Sequence, residues 1–231
     1  LSLGNASAAN PSPGGGKVIT GDNGTLTTTN SNSNGVHVSS INGLVSLGNN
    51  TTVNVSGVNS KGLSIEGDPA AGGVERRTGD QIVTGSNLKV ISSGAGGHGV
   101  HMYGINGKIT LGEMAEIYTT GTGAHALYGH GLQIGSNIYG NNGKIVVGDK
   151  AILETTGDGS HGVYTDWATS SIEFQAGATI NVSGNSSYAL FADAGKITSK
   201  LDMNGDVVSG GKFLINGDMT TINGGIIDLV L

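Results

Sequence analysis

Three of the six histidines recur at one position of a repeat, and imidazole is the commonest metal ligand in proteins. The column formed by that position contains Asn34, Lys61, His98, His125, His161 and Tyr188. Zinc needs three or four ligands at about 2 Å from the ion, whereas successive members of such a column lie about 4.8 Å apart. Because the column also accepts asparagine, lysine and tyrosine, it predicts a stacked polar ladder rather than a metal site.

Other sequence signs of bound cofactors are absent. The chain has no cysteine, which excludes thiol catalysis and Cys-based zinc sites. It contains no GxxxxGK[ST] phosphate loop, and the segment Gly96–Gly104 lacks the aspartate of calcium-binding GGxGxD repeats. We therefore expect no metal and no cofactor.

Carboxylates are the second candidate chemistry, because glycoside hydrolysis requires a pair of them at the scissile bond. Here the acidic residues are scattered over different columns of the repeat. Asp166 beside Trp167 could line a sugar site, but the pair is better explained by a turn residue next to a side chain that covers a corner of the core. No GxSxG nucleophile motif is present either. The sequence predicts a protein that is not an enzyme, with a polysaccharide-acting enzyme as the alternative.

Two insertions interrupt the repeat and carry the candidate binding residues. Successive members of the histidine column are 27 residues apart, except for gaps of 37 after Lys61 and 36 after His125. Both extra segments leave the same corner of the coil, so we expect neighbouring loops on one side of the molecule. Such loops often form the binding face of a repeat protein, although loop length also costs little stability. The candidate partner-binding residues are Glu66, Asp68, Glu75, Arg76, Arg77, Asp80, His130, Gln133 and Tyr139.

The elements that position these residues follow from apolar columns with the same spacing. One column contains Val36, Leu63, Val100, Leu127, Val163 and Leu190. Two more contain Val18, Val45, Ile82, Ile109, Ile145 and Ile172, and Leu26, Val53, Val90, Ile117, Leu153 and Ile180. Within one repeat, KITL, AEIYTT and HALY alternate in the manner of strands and are separated by glycine-containing turns. Strands this short cannot bury an apolar face alone, so successive coils must stack.

We therefore predict an all-β fold, a right-handed parallel β-helix with three short strands per coil of 27 residues and about seven coils. At the usual strand spacing the rod is roughly 34 Å long. Residues 1–15 are expected to form a flexible N-terminal segment, and residues 16–231 a single β-helix domain. The apolar stretch Ile226–Leu231 predicts that this domain is truncated at its C-terminal end.

Composition narrows the range of partners. Glycine accounts for 43 of the 231 residues without a Gly-X-Y period, which excludes collagen. The net charge of -6, with no basic cluster beyond Arg76 and Arg77, argues against nucleic acid. No run of 18 apolar residues is present, so we expect no membrane span in this chain.

The repeated pattern GKI-x-LG-x-x-A-x-I-x-TTG-x-G-x-H-x-x-Y resembles passenger domains of classical bacterial autotransporters (type V secretion), including pertactin-like ones. It occurs at Gly107–Tyr128 and Gly143–Tyr164, with a degenerate copy at Ser170–Phe191. The resemblance implies a secreted or surface-displayed bacterial protein, associated with the outer membrane through a C-terminal barrel that is not contained in this chain. The serine-protease module of some passengers and the Arg-Gly-Asp tripeptide of some adhesins are also absent.

The sequence thus predicts a virulence factor of the adhesin type, which binds a host cell-surface protein, receptor or glycan through loops on a β-helix scaffold. Three alternatives stay open. One is a released, host-directed signalling factor, as the resemblance to a family with pro-angiogenic, receptor-binding passengers implies. Another is self-association, which the Asn, Thr and Ser content of residues 21–59 favours. The third is the polysaccharide-acting enzyme.

Overall fold

The computed structural model describes residues 1–4, 16–40, 42–66, 79–103, 106–130, 133–134, 137–138, 142–175, 177–199, 213–221 and 224–229. All the regular structure in these ranges is β-strand. No helix there is long and apolar enough to cross a bilayer. The strands are β1 (Ser2–Gly4), β2 (Lys17–Ile19), β3 (Thr25–Thr28), β4 (Val36–Ser39), β5 (Leu44–Leu47), β6 (Thr52–Val55), β7 (Leu63–Glu66), β8 (Gln81–Thr84), β9 (Lys89–Ser92), β10 (Val100–Tyr103), β11 (Lys108–Leu111), β12 (Glu116–Thr119), β13 (Leu127–Gly129), β14 (Gln133–Ile134), β15 (Asn137–Ile138), β16 (Lys144–Val147), β17 (Ala151–Thr155), β18 (Val163–Phe174), β19 (Ala178–Val182), β20 (Leu190–Ser199), β21 (Leu214–Asn216), β22 (Met219–Thr221) and β23 (Ile226–Asp228).

The strands form three parallel faces that run along one axis, as the predicted parallel β-helix requires. Face 1 contains β1, β4, β7, β10, β13, the first parts of β18 and β20, and β22. Face 2 contains β2, β5, β8, β11, β16, the second parts of β18 and β20, and β23. Face 3 contains β3, β6, β9, β12, β17, β19 and β21. Its seven strands agree with the predicted number of coils.

Strand register confirms the apolar columns predicted from the sequence. Val36 pairs with Leu63 on face 1, Val45 with Ile82 on face 2, and Val53 with Val90 on face 3. The residues of these columns are almost all fully buried and form one continuous core. Burial alternates along the strands of face 3, because successive side chains point to opposite sides of a sheet, whereas β7 and β10 on face 1 are buried at three successive positions.

The number of residues between two faces varies at one corner of the coil, and it is constant at the other two corners through most of the rod. From Val18 to Leu190 the columns are always eight residues apart between faces 2 and 3, and ten between faces 3 and 1. Between faces 1 and 2 the step is nine residues in the plain coils, but 19 from Leu63 to Ile82 and 18 from Leu127 to Ile145. The two predicted insertions therefore leave the same corner.

Two features at the ends of the rod differ from the expected pattern. Ser2–Gly4, placed by the sequence in a flexible segment, pairs with residues 37–39, because the edge of β4 offers unpaired backbone groups. Residues 5–15 lie outside the described residues. Near the other end, the step from Ile197 to Ile215 is lengthened to 18 residues at the corner between faces 2 and 3, a third insertion that the sequence analysis did not identify.

Glycine is required at the corner before face 1 by the close approach of successive coils. A Cβ on Gly121 would overlap the carbonyl group of Gly94 in the neighbouring coil, and the same holds along the column of Gly57, Gly94, Gly121, Gly157 and Gly184. Two residues further on, Gly123 has φ of 66° but open space around it. Asn32 and Asn59 adopt the same left-handed conformation at that position.

We expect Gly121→Ala to lower the free energy of unfolding by about 2 kcal/mol or more, because the added methyl group forces two coils apart. Gly123→Asn should change it by less than about 0.5 kcal/mol, since asparagine tolerates this conformation and the site is open. Chemical denaturation of both variants measures the difference. Equal losses would show that backbone conformation, and not coil spacing, selects glycine at this corner.

Candidate functional site

The corner between faces 1 and 2 is the candidate functional site, and we call residues 66–81 and 130–144 the insertion corner. The first insertion runs from the end of β7 at Glu66 to Gln81, and the second from His130 to Lys144. The second contains the antiparallel pair β14–β15. Since Glu66, Tyr103 and His130 follow one another in register on face 1, both insertions begin from the same column.

Five of the nine candidate residues lie outside the described residues, namely Asp68, Glu75, Arg76, Arg77 and Tyr139. Gln133 lies in β14, where its backbone pairs with Ile138. Glu66, Asp80 and His130 are described together with their surroundings. The structure therefore places these three on or beside the insertion corner, each in a different environment.

Asp80 connects the base of the first insertion to the preceding coil. Its carboxylate accepts hydrogen bonds from the backbone N–H of Ser40 at 2.6 Å and of Gly43 at 2.7 Å, both in the preceding coil. The side chain is buried. Buried backbone donors must find acceptors, so this carboxylate closes a plain corner and stabilises the coil next to the insertion.

Glu66 lies in a polar cluster at the start of the same insertion. Ser64 donates a hydrogen bond of 2.8 Å to Glu66 Oε1, Lys61 Nζ lies 3.4 Å from that oxygen, and His101 Nδ1 lies 3.9 Å from it. His101 above all, and then Lys61, hold the pKa of Glu66 well below its usual value despite the opposing effect of burial. The carboxylate is therefore charged at neutral pH.

His130, at the start of the second insertion, belongs to a compact group with Tyr128 and Asp166. Its Nδ1 lies 2.6 Å from Asp166 Oδ2 and 2.9 Å from the Tyr128 hydroxyl oxygen, while Tyr128 donates to the same carboxylate oxygen at 2.7 Å. Burial, and then the charge of Asp166, raise the pKa of Tyr128 well above its usual value. Asp166 Oδ1 is buried without a hydrogen-bond partner in the described chain. The imidazole of His130 remains about one-third exposed, with 36% of its side chain accessible.

The histidine column forms the stacked ladder predicted from the sequence. The rings of His98 and His125 lie 5.0 Å apart at an interplanar angle of 6°, and those of His125 and His161 lie 4.8 Å apart at 3°. Each ring also joins two coils through its Nδ1 atom, which accepts the backbone N–H of the next member of the column at 3.1, 2.9 and 3.0 Å. Asn34 Oδ1 does the same for the N–H of Lys61 at 2.9 Å.

A second column of rings packs against the histidines. Tyr128 and Tyr164 stack at 5.0 Å, and each meets its histidine neighbours edge-on at interplanar angles of 61° to 76°. The two columns thus tilt in opposite senses and use the ring faces for contacts within the protein. The side chains of His101, His125 and His161 are buried, and those of Tyr128 and Tyr164 are half-buried. We call this group of rings the ring patch, formed by His98, His101, Tyr103, His125, Tyr128, His130, His161, Tyr164, Tyr188 and Phe191.

The geometry offers little for metal binding or hydrolysis. Within the described ranges, no group of three or more His, Asp or Glu side chains converges on a point that could hold an ion. A concavity of about 390 Å³ lies on face 3, away from the insertion corner. It is lined by Asn50, Thr52, Asn87, Lys89, Met114, Glu116, Lys150 and Ile152. Its one carboxylate, Glu116, lies 3.5 Å from Lys89 and lacks the second acid that glycoside hydrolysis uses.

Comparison with known proteins does not indicate a function for this chain. No protein-family model matches the chain, and no curated protein or solved structure matches it. The arguments for function therefore rest on the surface itself and on the repeat.

Sequence reasoning missed the partnership of Tyr128 and Asp166 with His130. The available signal was the column that contains Glu66, Tyr103 and His130, because register places Asp166 next in that column. The lengthened gap after His125 obscures this column when only the printed sequence is read. Trp167, considered above as a possible sugar contact, is partly buried next to it.

His125→Ala should lower the free energy of unfolding by about 3 kcal/mol, because it removes a packed ring and leaves the N–H of His161 without an acceptor. We expect His125→Asn to lose at least about 1 kcal/mol less, since an amide oxygen can accept the same bond, as Asn34 does. Urea denaturation of the two variants makes the comparison. Identical losses would mean that the hydrogen bond to the next coil contributes nothing.

Acid should destabilise the protein in a pH range set by the ladder. Burial lowers the pKa of His125 to about 3 and of His161 to about 4, and lowers that of His98 well below its usual value. Unfolded histidines bind protons below about pH 6.5, whereas the folded ladder stays neutral and keeps its Nδ1 acceptors. Stability is therefore complete above this pH and is lost as the pH falls towards the folded-state values.

The expected slope is up to about 1.4 kcal/mol per pH unit for each such histidine. Unfolding free energies measured between about pH 7 and pH 5 test this, above the range in which free carboxylates titrate. Replacing His98, His125 and His161 together by Asn should flatten the profile. An unchanged profile in that triple variant would assign the acid sensitivity to other groups.

Proposed function

We propose that this protein is a non-enzymatic binding module that uses the insertion corner to contact a partner. The observation that carries the proposal is that both insertions begin from one column of face 1, directly after Glu66 and His130. Two lengthened steps at one corner, with a single plain coil between them, place the starts of the two insertions at Glu66 and His130 about 10 Å apart along the rod. The other two corners keep a constant length over the same coils.

The surface at the base of the loops supports this proposal. Rings with an apolar body and a polar tip are enriched in protein recognition surfaces. The ring patch lies on face 1 beside both loops, and its rings are held in place by stacking, edge contacts and hydrogen bonds. A rigid surface of this kind loses little conformational freedom when a partner binds.

The sequence pattern of the repeat indicates the class of partner. The resemblance to autotransporter passengers supports a secreted or surface-displayed protein and, as its partner, a host cell-surface protein, receptor or glycan. Glu66 contributes a carboxylate that stays charged at neutral pH, so a partner with a basic or hydrogen-bond-donating surface complements this side of the corner. An adhesin-like role is the function that these observations favour.

Loop deletions designed on the strand register test the proposal. A plain corner has four residues between its strands, as between Ser39 and Leu44 or between Tyr103 and Lys108. Deleting residues 68–77 or residues 131–139 restores this span and keeps Asp80 with its corner hydrogen bonds. We expect each deletion to reduce binding to host cells by at least about tenfold, because it removes one of two adjacent contacts. Circular dichroism and unfolding curves should remain those of the parent protein.

Replacing each segment by a Gly/Ser stretch of equal length is the matched control for chain length. It should reduce binding as the deletion does, since it removes the same side chains. Full binding by both deletion variants would contradict the proposal. Concentration-dependent dimers in sedimentation that persist in both deletions, without host-cell binding by the parent protein, would instead support self-association.

A further inference from the structure

A ladder of asparagine side chains runs along the corner between faces 2 and 3. Asn50 Nδ2 donates to Asn23 Oδ1 at 3.1 Å, and Asn87 Nδ2 donates to Asn50 Oδ1 at 3.0 Å. One hydrogen bond plus the width of an amide group spans about 5 Å, which is close to the usual strand spacing of about 4.8 Å between coils. Each amide therefore forms one rung per coil, and every rung donates to the coil before it.

The ladder stops after Asn87, although the backbone continues unchanged. Met114 and Lys150 occupy the equivalent positions of the next two coils, with φ of 55° and 58°, against 55° at Asn50 and 57° at Asn87. Their N–H groups also make the same backbone hydrogen bonds to the following coil. Asparagine tolerates this left-handed conformation better than methionine or lysine does. Backbone geometry therefore does not explain why the two asparagines are replaced here.

The missing rung leaves an unpaired acceptor and an unpaired donor on either side of it. Among the described residues, Asn87 Oδ1 receives no hydrogen bond, and Lys150 Nζ makes no hydrogen bond or ion pair. Both side chains are exposed, and Met114 between them is 42% exposed. All three line the concavity of about 390 Å³ on face 3. A ligand there meets an acceptor, an apolar floor and a donor along three successive coils.

These three features select a carboxamide. An amide at the missing rung donates its N–H to Asn87 Oδ1, as the earlier rungs donate to their neighbours, and its carbonyl oxygen accepts from Lys150 Nζ. Two such hydrogen bonds plus the amide group span about 8 Å, while two coil spacings are about 10 Å. The flexible lysine side chain closes the remaining distance. Met114, with Ile152 beside it, offers an apolar contact to a small substituent on the amide carbon.

The opposite wall of the concavity complements hydroxyl groups. Lys89 Nζ lies 3.5 Å from Glu116 Oε2 in the next coil, and the two side chains are 43% and 37% exposed. A hydroxyl group both donates and accepts, so a polyol can bind Glu116 and Lys89 together without separating the ion pair. The ligand that fits both walls therefore carries an amide on one side and hydroxyl groups on the other.

Charge and backbone pairing disfavour two other ligand classes. Glu113 and Asp149 directly precede Met114 and Lys150, so the lysines of the concavity are balanced by carboxylates and an anion gains little. An extended peptide binds most readily by adding to a free sheet edge. The strands under the concavity are paired on both sides within face 3, so they offer no such edge.

We propose that this concavity binds an N-acetylated amino sugar, whose acetamido group forms the missing rung between Asn87 and Lys150. Its N–H binds Asn87, its carbonyl oxygen binds Lys150, and its methyl group lies against Met114 and Ile152. The ring hydroxyl groups reach the ion pair on the opposite wall. The site lies at a different corner from the insertion corner and does not rest on the function proposed there.

Titrations followed by NMR test the proposal. The probes are the methyl β-glycosides of N-acetylglucosamine and N-acetylgalactosamine, with those of glucose and galactose as analogues without the amide. A glycine–glutamine–glycine tripeptide supplies an amide from a peptide. We expect at least one acetamido sugar to bind at least about tenfold more tightly than its analogue, because the analogue leaves the rung unpaired. Binding should shift the resonances of the Met114 methyl group and the Asn87 side-chain amide.

Met114→Asn is the decisive variant, because it supplies the fourth rung from the chain itself, as in the three preceding coils. It should keep the fold and weaken sugar binding by at least about tenfold. Ile91→Asn is the matched control, since it adds an amide to face 3 beside Asn54 but outside the concavity. It should bind as the parent protein does, and so should both loop deletions.

Four results would overturn the proposal. They are failure of both acetamido sugars to bind, equal binding of the analogues without the amide, binding of the tripeptide alone, and parent-like binding by Met114→Asn. Because the loop deletions leave this site intact, none of these results bears on the function proposed for the insertion corner.

Discussion

The interaction on which this structure depends is the backbone hydrogen bond between successive coils. It fixes the axial spacing near the ordinary distance between strands, and it places equivalent residues of successive coils directly over one another. Each residue therefore packs against the equivalent residues of the coils before and after it. A position that tolerates no side chain, as at Gly94 and Gly121, excludes side chains in each coil from Gly57 to Gly184. A position that accepts an aromatic ring tends to build a stack of rings.

The ladder shows how a polar residue can support this spacing. At the corner before face 1 the backbone N–H of the next coil needs an acceptor, and an imidazole Nδ1 or an amide oxygen can supply it. Asparagine and histidine are therefore equivalent for this hydrogen bond, while histidine adds a ring that stacks on the next one. These imidazoles must stay neutral in the folded state, whereas they bind protons in the unfolded chain. The ladder therefore lowers the stability of the protein at acid pH.

The sequence was sufficient for the fold because its periodicity reports contacts directly. Val36, Leu63 and Val100 are equivalent in the printed sequence for the same reason that they are paired in space. The site was only partly predictable. Asp166, Tyr128 and His130 meet because two coils of unequal length return to the same column, and the β-bulge at Asp166 changes the local register. Residue spacing places His130 and Asp166 in one column, since they are 36 residues apart like His125 and His161, but it does not show that their side chains meet Tyr128. Asp80 was predicted to contact a partner because it is a charged residue in an insertion. In the structure it is buried, and its carboxylate accepts hydrogen bonds from two backbone N–H groups.

The corner between faces 1 and 2 is also where β18 passes from one face to the next without a break, while the coils from β4 to β16 have four or fourteen residues between the two strands. The phase of the repeat survives all of these lengths, because the eight- and ten-residue steps at the other corners restore it. Insertions and deletions at this one corner therefore leave the register of the coils, and so the fold, unchanged. Such a scaffold separates the choice of outer surface at this corner from the residues that determine its core.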